Sequence, residues 1–165
     1  MTASIDALIA RMAAAEARLA EHAAAPLPSG LADPDPGGEE RWEAGQVWAH
    51  LAEFPAFWLD QARSIVAAAS DEPVPFGRLK TDPGRLEAIE RDRHADPAGL
   101  LARVGASLAE ATDTIRSWPA DAWTRTGQHP VRGIMGMESI VERFIVEHLE
   151  EHADQLDGLA AGNSA

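Results

Sequence analysis

The chain has 165 residues, 45 % of them apolar, enough for one domain with its own core and too apolar for wholesale disorder. Its 27 acids against 14 Lys and Arg give a net charge of −13, with no basic stripe to neutralise phosphates, so nucleic acid is not an expected partner. No apolar run approaches the roughly 20 residues that span a bilayer. No basic leader precedes the first apolar stretch, and the absence of cysteine excludes disulfides, thiolate ligands and a protein thiol nucleophile. A cytoplasmic protein acting on a small molecule is the expectation.

From about Ser4 to Ala24, Ile5, Leu8, Ile9, Met12, Leu19 and Ala20 recur at the 3–4 spacing of an amphipathic helix. A stiff connector follows, with Pro26, Pro28, Gly30, Pro34, Pro36, Gly37 and Gly38. A second helix is predicted from about Ala44 to Ser70, its stripe running through Val47, His50, Leu51, Phe54, Trp58, Ala62 and Ile65, with a kink expected at Pro55. Residues 71–96 read as a long crossover in which Asp82–Pro83 opens a short helix to about Arg91. Asp96–Pro97 opens the third long helix, on Leu100, Leu101, Val104, Leu108, Ala111 and Ile115, and Pro119 ends it.

A turn-rich stretch, Pro119 to Gly136, leads into the last helix, about Met137 to Leu159, with Met137, Ile140, Val141, Phe144, Ile145, His148, His152, Leu156 and Leu159 facing inward. Residues 160–165 are expected to fray. No stretch shows the alternation of a strand. The reading is therefore all-α: a single four-helix-bundle domain over residues 1–165, with a long crossover between helices 2 and 3.

His148 and His152, at i and i+4, place their Cβ atoms roughly 5–6 Å apart on one helix face. Two readings compete there. Core histidines bonded to backbone or acids would satisfy the same pattern, because an unsatisfied buried polar group costs roughly 1–3 kcal/mol. Alternatively both rings reach one metal ion, and His50, on the inward stripe of another helix, tilts the balance toward metal as the natural third ligand. Three protein ligands leave a position open, as a catalytic site requires.

Two other metal patterns fit less well. His148-Leu149-Glu150-Glu151-His152 matches H-x-x-E-H, but an inverted zinc peptidase needs a further ligand downstream. A di-iron bundle needs a carboxylate three residues before its histidines. Leu19, Val47, Arg91, Thr126, Ile145 and Leu149 occupy those positions.

Among the remaining candidates, Glu53 and Glu151 each follow a histidine of the set closely enough to orient ligands or move protons, and Gln155 follows His152 by one turn. Solvated faces are the competing reading for both acids. Arg78, Lys80, Arg85, Arg91 and Arg93 concentrate positive charge in the crossover. Arg78 and Arg91 are the candidate anchors for carboxylates of a cofactor or substrate, against simple pairing with neighbouring acids. His22 and His94 read as surface residues, and His129, before Pro130 in a turn, has the site mouth as its functional reading. Trp48 and Phe57 lie off the core stripe, where a dimer interface would cover them.

The stretch Arg41-Trp42-Glu43-Ala44-Gly45-Gln46-Val47-Trp48-Ala49-His50-Leu51, followed by His129-Pro130, Gly133 and His148-Leu149-Glu150-Glu151-His152-Ala153-Asp154-Gln155-Leu156, resembles two signatures of the DinB-like superfamily. That family includes YfiT-type proteins and the N-terminal domain of mycothiol-dependent maleylpyruvate isomerase. The resemblance implies a four-helix bundle holding a divalent metal, zinc or nickel, through His50, His148 and His152. It also implies a homodimer and, for some members, thiol-dependent transferase activity with a low-molecular-weight thiol such as mycothiol. The isomerase carries an extra C-terminal domain for which these residues leave no room, so its activity is not expected here.

The leading expectation is a metal-dependent thiol S-transferase acting on an electrophile or xenobiotic. The alternatives are a hydrolase in which the metal activates water, and a non-catalytic dimeric binding or stress-response module.

Overall fold

In a computed structural model, which describes residues 4–35 and 38–163, four long helices form the bundle. They are α1 (Ile5–Ala24), α2 (Ala44–Ala68), α4 (Pro97–Ser117) and a composite last helix. The last comprises α5 (Met137–Val141), a π-helical turn (Glu142–Val146) and α6 (Glu147–Asn163), while α3 (Pro83–Asp92) lies in the crossover. Pro36 and Gly37 of the connector, and the tail at Ser164 and Ala165, fall outside the described residues.

Local chemistry starts each helix. Ser4 Oγ accepts from Ala7 N at 3.2 Å, and the Gln46 side chain accepts from Glu43 N at 3.0 Å. Asp82 and Asp96 cap α3 and α4, accepting from Arg85 N at 2.9 Å and Gly99 N at 3.2 Å, with proline at each first helical position. These side chains satisfy amide groups that have no partner inside the helix. Pro55 is buried within α2, which runs unbroken through it. At its C-terminal end α6 passes Leu159 and continues to Asn163, so the fraying expected from residue 160 gives way to helix.

α1 packs against α4 and α6, and α2 packs against the same two helices. The sequence-adjacent α1 and α2 therefore occupy opposite corners. The connector between them must cross an end of the bundle, whereas the segment between α2 and α4 runs back along α2, with the end of α3 at Arg93 beside Gly45 at the start of α2. The core has Trp48, Phe54, Leu8, Met12, Leu51 and Ile145 among its largest fully buried side chains. Trp48 is only 1 % exposed, which corrects its reading as interface cover: the α2 face it occupies is packed by neighbouring helices. No described helix is long and apolar enough to cross a membrane.

The expectation of no strands is also corrected. β1 (Val74–Pro75) pairs parallel with β2 (Thr126–His129), and β2 pairs antiparallel with β3 (Gly133–Gly136). His129 is opposite Gly133, whose φ of 75° lets the chain reverse directly after Pro130–Arg132. Strands of two to four residues, half of them glycine in β3, are too short and too poor in β-branched residues to show a period of two.

Gly45 marks the close approach of α2 to the end of α3, because a Cβ there would overlap the carbonyl oxygen of Arg93. Gly→Ala in an open helix would gain about 1 kcal/mol, but overpacking costs about 1–3 kcal/mol. A backbone carbonyl cannot swing aside as a side chain can. Gly45→Ala is therefore expected to destabilise by about 1–2 kcal/mol, read as a lower thermal midpoint; an unchanged or raised midpoint would refute this close approach.

Candidate metal centre

α2 contributes His50 and α6 contributes His148 and His152 to a single cluster, with one candidate ligand nitrogen from each ring lying within 4.8 Å of the others. The Nε2 atoms of His50 and His148 are 3.1 Å apart. Nitrogens held about 2.0–2.1 Å from one tetrahedral ion lie about 3.3–3.4 Å apart, so this spacing is close to that of shared ligands. His152 Nε2 is buried without a hydrogen-bond partner among the described residues. A buried ring nitrogen facing nothing is costly unless something is bound there. The donor set therefore fits a divalent ion.

The opposite edge of each ring faces a fixed partner. His50 Nδ1 lies 3.2 Å from Glu53 Oε2, at ion-pair distance though outside hydrogen-bond geometry, and Glu53 is itself clamped by Arg78 at 2.5 and 2.8 Å. His152 Nδ1 pairs with Gln155 Oε1 at 2.7 Å. The Gln155 amide in turn donates to the Asp33 carbonyl and to Asp35, both at 2.9 Å. His148 bonds to the backbone of Phe144. Partners of this kind select the tautomer and ring orientation that aim Nε2 at a metal.

Burial pushes all three imidazoles below the usual histidine range. His50 and His148 are lowered furthest, with the neighbouring ring of His152 adding to the effect, and His152 is held back partly by Asp35 and Gln155. Neutral imidazole is the form that ligates.

Aromatic rings fix the three in place. Phe54 stacks on His148 at 4.0 Å, and Trp42 lies parallel to His152 at 5.9 Å and edge-on to His50 at 5.2 Å. The π turn at Glu142–Val146 inserts extra rotation just before His148. Beyond it His152, Leu156 and Leu159 are buried as the stripe predicts, joined by Leu149 and Ala153. His148 is thereby left half-buried. A π turn within an α-helix leaves no hydrophobic signature and is often found where a side chain must be re-aimed for function.

His50 and His148 lie on the wall of a cavity of about 210 Å³. Arg78, Arg143 and Glu151 share that wall, as do Trp58, His129 and Phe144. Of the candidate residues, Glu151 is at the cavity and is bonded to Arg143 at 2.6 Å. Glu53 and Gln155 stand behind metal-facing rings rather than on the cavity wall. Glu53 is thus shielded from solvent between His50 and Arg78.

Arg78 reaches the cavity with its guanidinium 3.9 Å over Phe57, which explains why Phe57 is partly covered. Arg91 is placed elsewhere: it is exposed on α3, bonded to Asp92 at 2.8 Å and absent from the cavity wall. This placement corrects its assignment as a cofactor anchor. Arg143 carries no sequence signal, since nothing local marks which long side chains will converge, whereas Arg85 belongs to the positive charge of the crossover and Trp58 to the α2 stripe.

Glu53→Ala should weaken metal binding by about 10–100-fold, the usual worth of an outer partner to a ligating histidine, measured by competition with a chromophoric chelator. Glu53→Gln, which keeps an acceptor, should fall between. Equal affinity in all three proteins would deny Glu53 this role.

The sequence profile of the DinB superfamily matches residues 5–156. Among solved structures, YfiT from Bacillus subtilis, described as a probable metal-dependent hydrolase with an unusual four-helix bundle topology, superposes with a TM-score of 0.75 at 22 % identity, covering 97 % of this chain and 87 % of that one. The mycothiol-dependent maleylpyruvate isomerase superposes with a TM-score of 0.64 at 15 % identity over 93 % of this chain, which spans 61 % of the isomerase's length. A variant of that isomerase gives the same score at 14 % identity. No curated protein matches the sequence. With its bundle topology and its profile match over nearly the whole length, the chain belongs to the DinB superfamily.

Proposed function

We propose that this protein is a divalent-metal-dependent enzyme that transfers the sulfur of a small-molecule thiol to an electrophile. The observation that carries the reading is the all-imidazole triad with His50 and His148 on a cavity wall. Three neutral ligands leave the ion's charge uncompensated and favour an anionic fourth partner. A chain without cysteine must take a thiolate from outside. A zinc or nickel ion bound there would hold such a thiol in its nucleophilic, deprotonated form.

The residues then divide the work. His50, His148 and His152 hold the ion, while Glu53 and Gln155 keep two of those rings oriented. Glu151, on the cavity wall and tethered by Arg143, is placed to take the thiol proton. Trp58 and Phe144 give the electrophile an apolar surface and limit water. The sulfur attacks the electrophilic carbon, the S–C bond forms, and the leaving group departs with its bonding pair. The likeness to a mycothiol-dependent protein over 93 % of this chain supports a low-molecular-weight thiol as co-substrate.

A thiol-independent hydrolase is the second reading, favoured by the likeness to YfiT, whose description is a probable metal-dependent hydrolase. The two separate in one assay of the metal-loaded protein with aryl halide and ester substrates. Turnover of the halide that requires added thiol and falls on Glu151→Gln supports transfer. Ester hydrolysis indifferent to thiol supports the second reading and overturns the first.

A further inference from the structure

Three donors at the cavity have no acceptor within the described protein. Trp58 lines the cavity, and its indole N–H is buried and unpartnered. His129, also on the wall and only 5 % exposed, has its ring polarity set by the hairpin: Nδ1 accepts from the backbone N–H groups of Val131 and Arg132, both at 3.2 Å. With Nδ1 so used, the neutral ring carries its proton on Nε2, and no described residue accepts from it.

Gly77 makes room for that edge. Its φ is +95°, and a Cβ there would come within 2.9 Å of His129 Nε2. Arg132 is exposed at the same wall, its guanidinium 5.8 Å from the Phe144 ring, and it has no carboxylate partner among the described residues. Arg78, Arg85 and Arg143, by contrast, are paired with Glu53, Glu40 and Glu151.

One scaffold holds the first two donors together. Trp58 and His129 both stack on Phe144, at 4.2 and 5.0 Å, and their own ring centroids are 6.2 Å apart. A single planar or tetrahedral oxyanion is large enough to meet both. Charge points the same way. In a protein of net charge −13 an anion is repelled at long range, yet on this wall Arg78, Lys80, Arg85 and Arg143 offset the acids they pair with, and Arg132 adds a positive charge with no carboxylate partner among the described residues. Such a local uncompensated cation favours an anionic ligand where the general surface would exclude it.

We infer that the substrate or thiol co-substrate carries a carboxylate or phosphate group, and that Trp58 Nε1–H, His129 Nε2–H and Arg132 bind it on the wall of the triad cavity. This deepens the functional proposal and rests on it only for where the reacting atoms lie. Arginine supplies the charge, and the two ring donors supply direction and discriminate against cations and unsubstituted apolar molecules.

The test is a titration of ¹⁵N-labelled protein, metal-free and zinc-loaded, with acetate, methyl phosphate and, as a neutral isostere, acetamide. The Trp58 indole resonance is identified by its loss in Trp58→Phe. Saturable movement with either anion and not with acetamide is expected, and Arg132→Gln should weaken it about tenfold. Response to only one of the two anions identifies which group is recognised. No saturable movement with either anion, an equal response to acetamide, or an unchanged affinity in Arg132→Gln overturns the inference. Zinc stoichiometry measured on the same samples keeps the two ideas apart: bound zinc with a silent indole removes the anion site alone, and a responsive indole without bound zinc removes the metal reading alone.

Discussion

His152→Ala, and equally His148→Ala, should purify without the stoichiometric divalent metal expected in the wild type. Each variant removes one of three rings that each offer a nitrogen within 4.8 Å of the others, so affinity should drop by more than the roughly 10–100-fold governed by outer partners. The same loss is visible in stability. A ligand at 100 times its Kd stabilises the folded state by about 2.7 kcal/mol, and about 1 kcal/mol shifts the midpoint of a domain this size by roughly 2–4 °C. Chelation should therefore lower the wild-type midpoint by roughly 5–10 °C and leave either variant unmoved. Elemental analysis of protein purified without an affinity tag, followed by melts with and without chelator, checks both outcomes. Equal low metal in wild type and variants would remove the centre.

Acid sensitivity of the metal-free protein has a definite sign. Burial holds His50, His148 and His152 below the ordinary histidine value. The unfolded chain therefore takes up protons, as pH falls below about 6.5, that the folded chain refuses. Stability is fully present above that range and is lost progressively below it. A metal-free midpoint that is flat from pH 7 to 5 would contradict the burial of these rings.

Phe54→Ala should be the most damaging core change near the centre. Phe54 is fully buried and packs on all three histidines, stacked at 4.0 Å on His148 and lying 5.2 and 5.8 Å from His50 and His152. Truncating a buried phenylalanine costs about 3–5 kcal/mol, a large share of the roughly 5–15 kcal/mol that holds a domain folded. The freed volume also borders the triad, so His148 loses the ring that fixes its plane and metal affinity falls with stability. Phe54→Leu, closer in volume, should cost less than about 1.5 kcal/mol while still losing the stacking. Chemical denaturation reads the first effect and chelator competition the second. A mild loss in Phe54→Ala, below about 1 kcal/mol, would mean the site collapses to fill the gap.

Much of the architecture was open to reading from residue order. Periodicity located the long helices because each buries one face, and Asp82–Pro83 and Asp96–Pro97 marked two helix starts because capping is local chemistry. The histidine pair was legible because i and i+4 share a helix face in any fold, and His50 because it continues an apolar stripe. Glycine-rich strands of two to four residues left no such trace. Neither did the π turn, which brings Leu149 onto the buried face and leaves His148 half-buried without altering composition.

What the linear chain determined, then, was everything that depends on neighbours within a turn or two: helix spans, caps and the facing of His50 and His152 toward the core. Tertiary structure alone decided that α1 and α2 take opposite corners, that Glu53 is clamped by Arg78 behind His50, and that Arg91 stays on the surface. It alone gathered Trp58, His129 and Arg132 around Phe144. The reason is physical: those relations join residues well beyond a turn or two of one another, and the packing of whole helices sets such distances, whereas local propensity is blind to them.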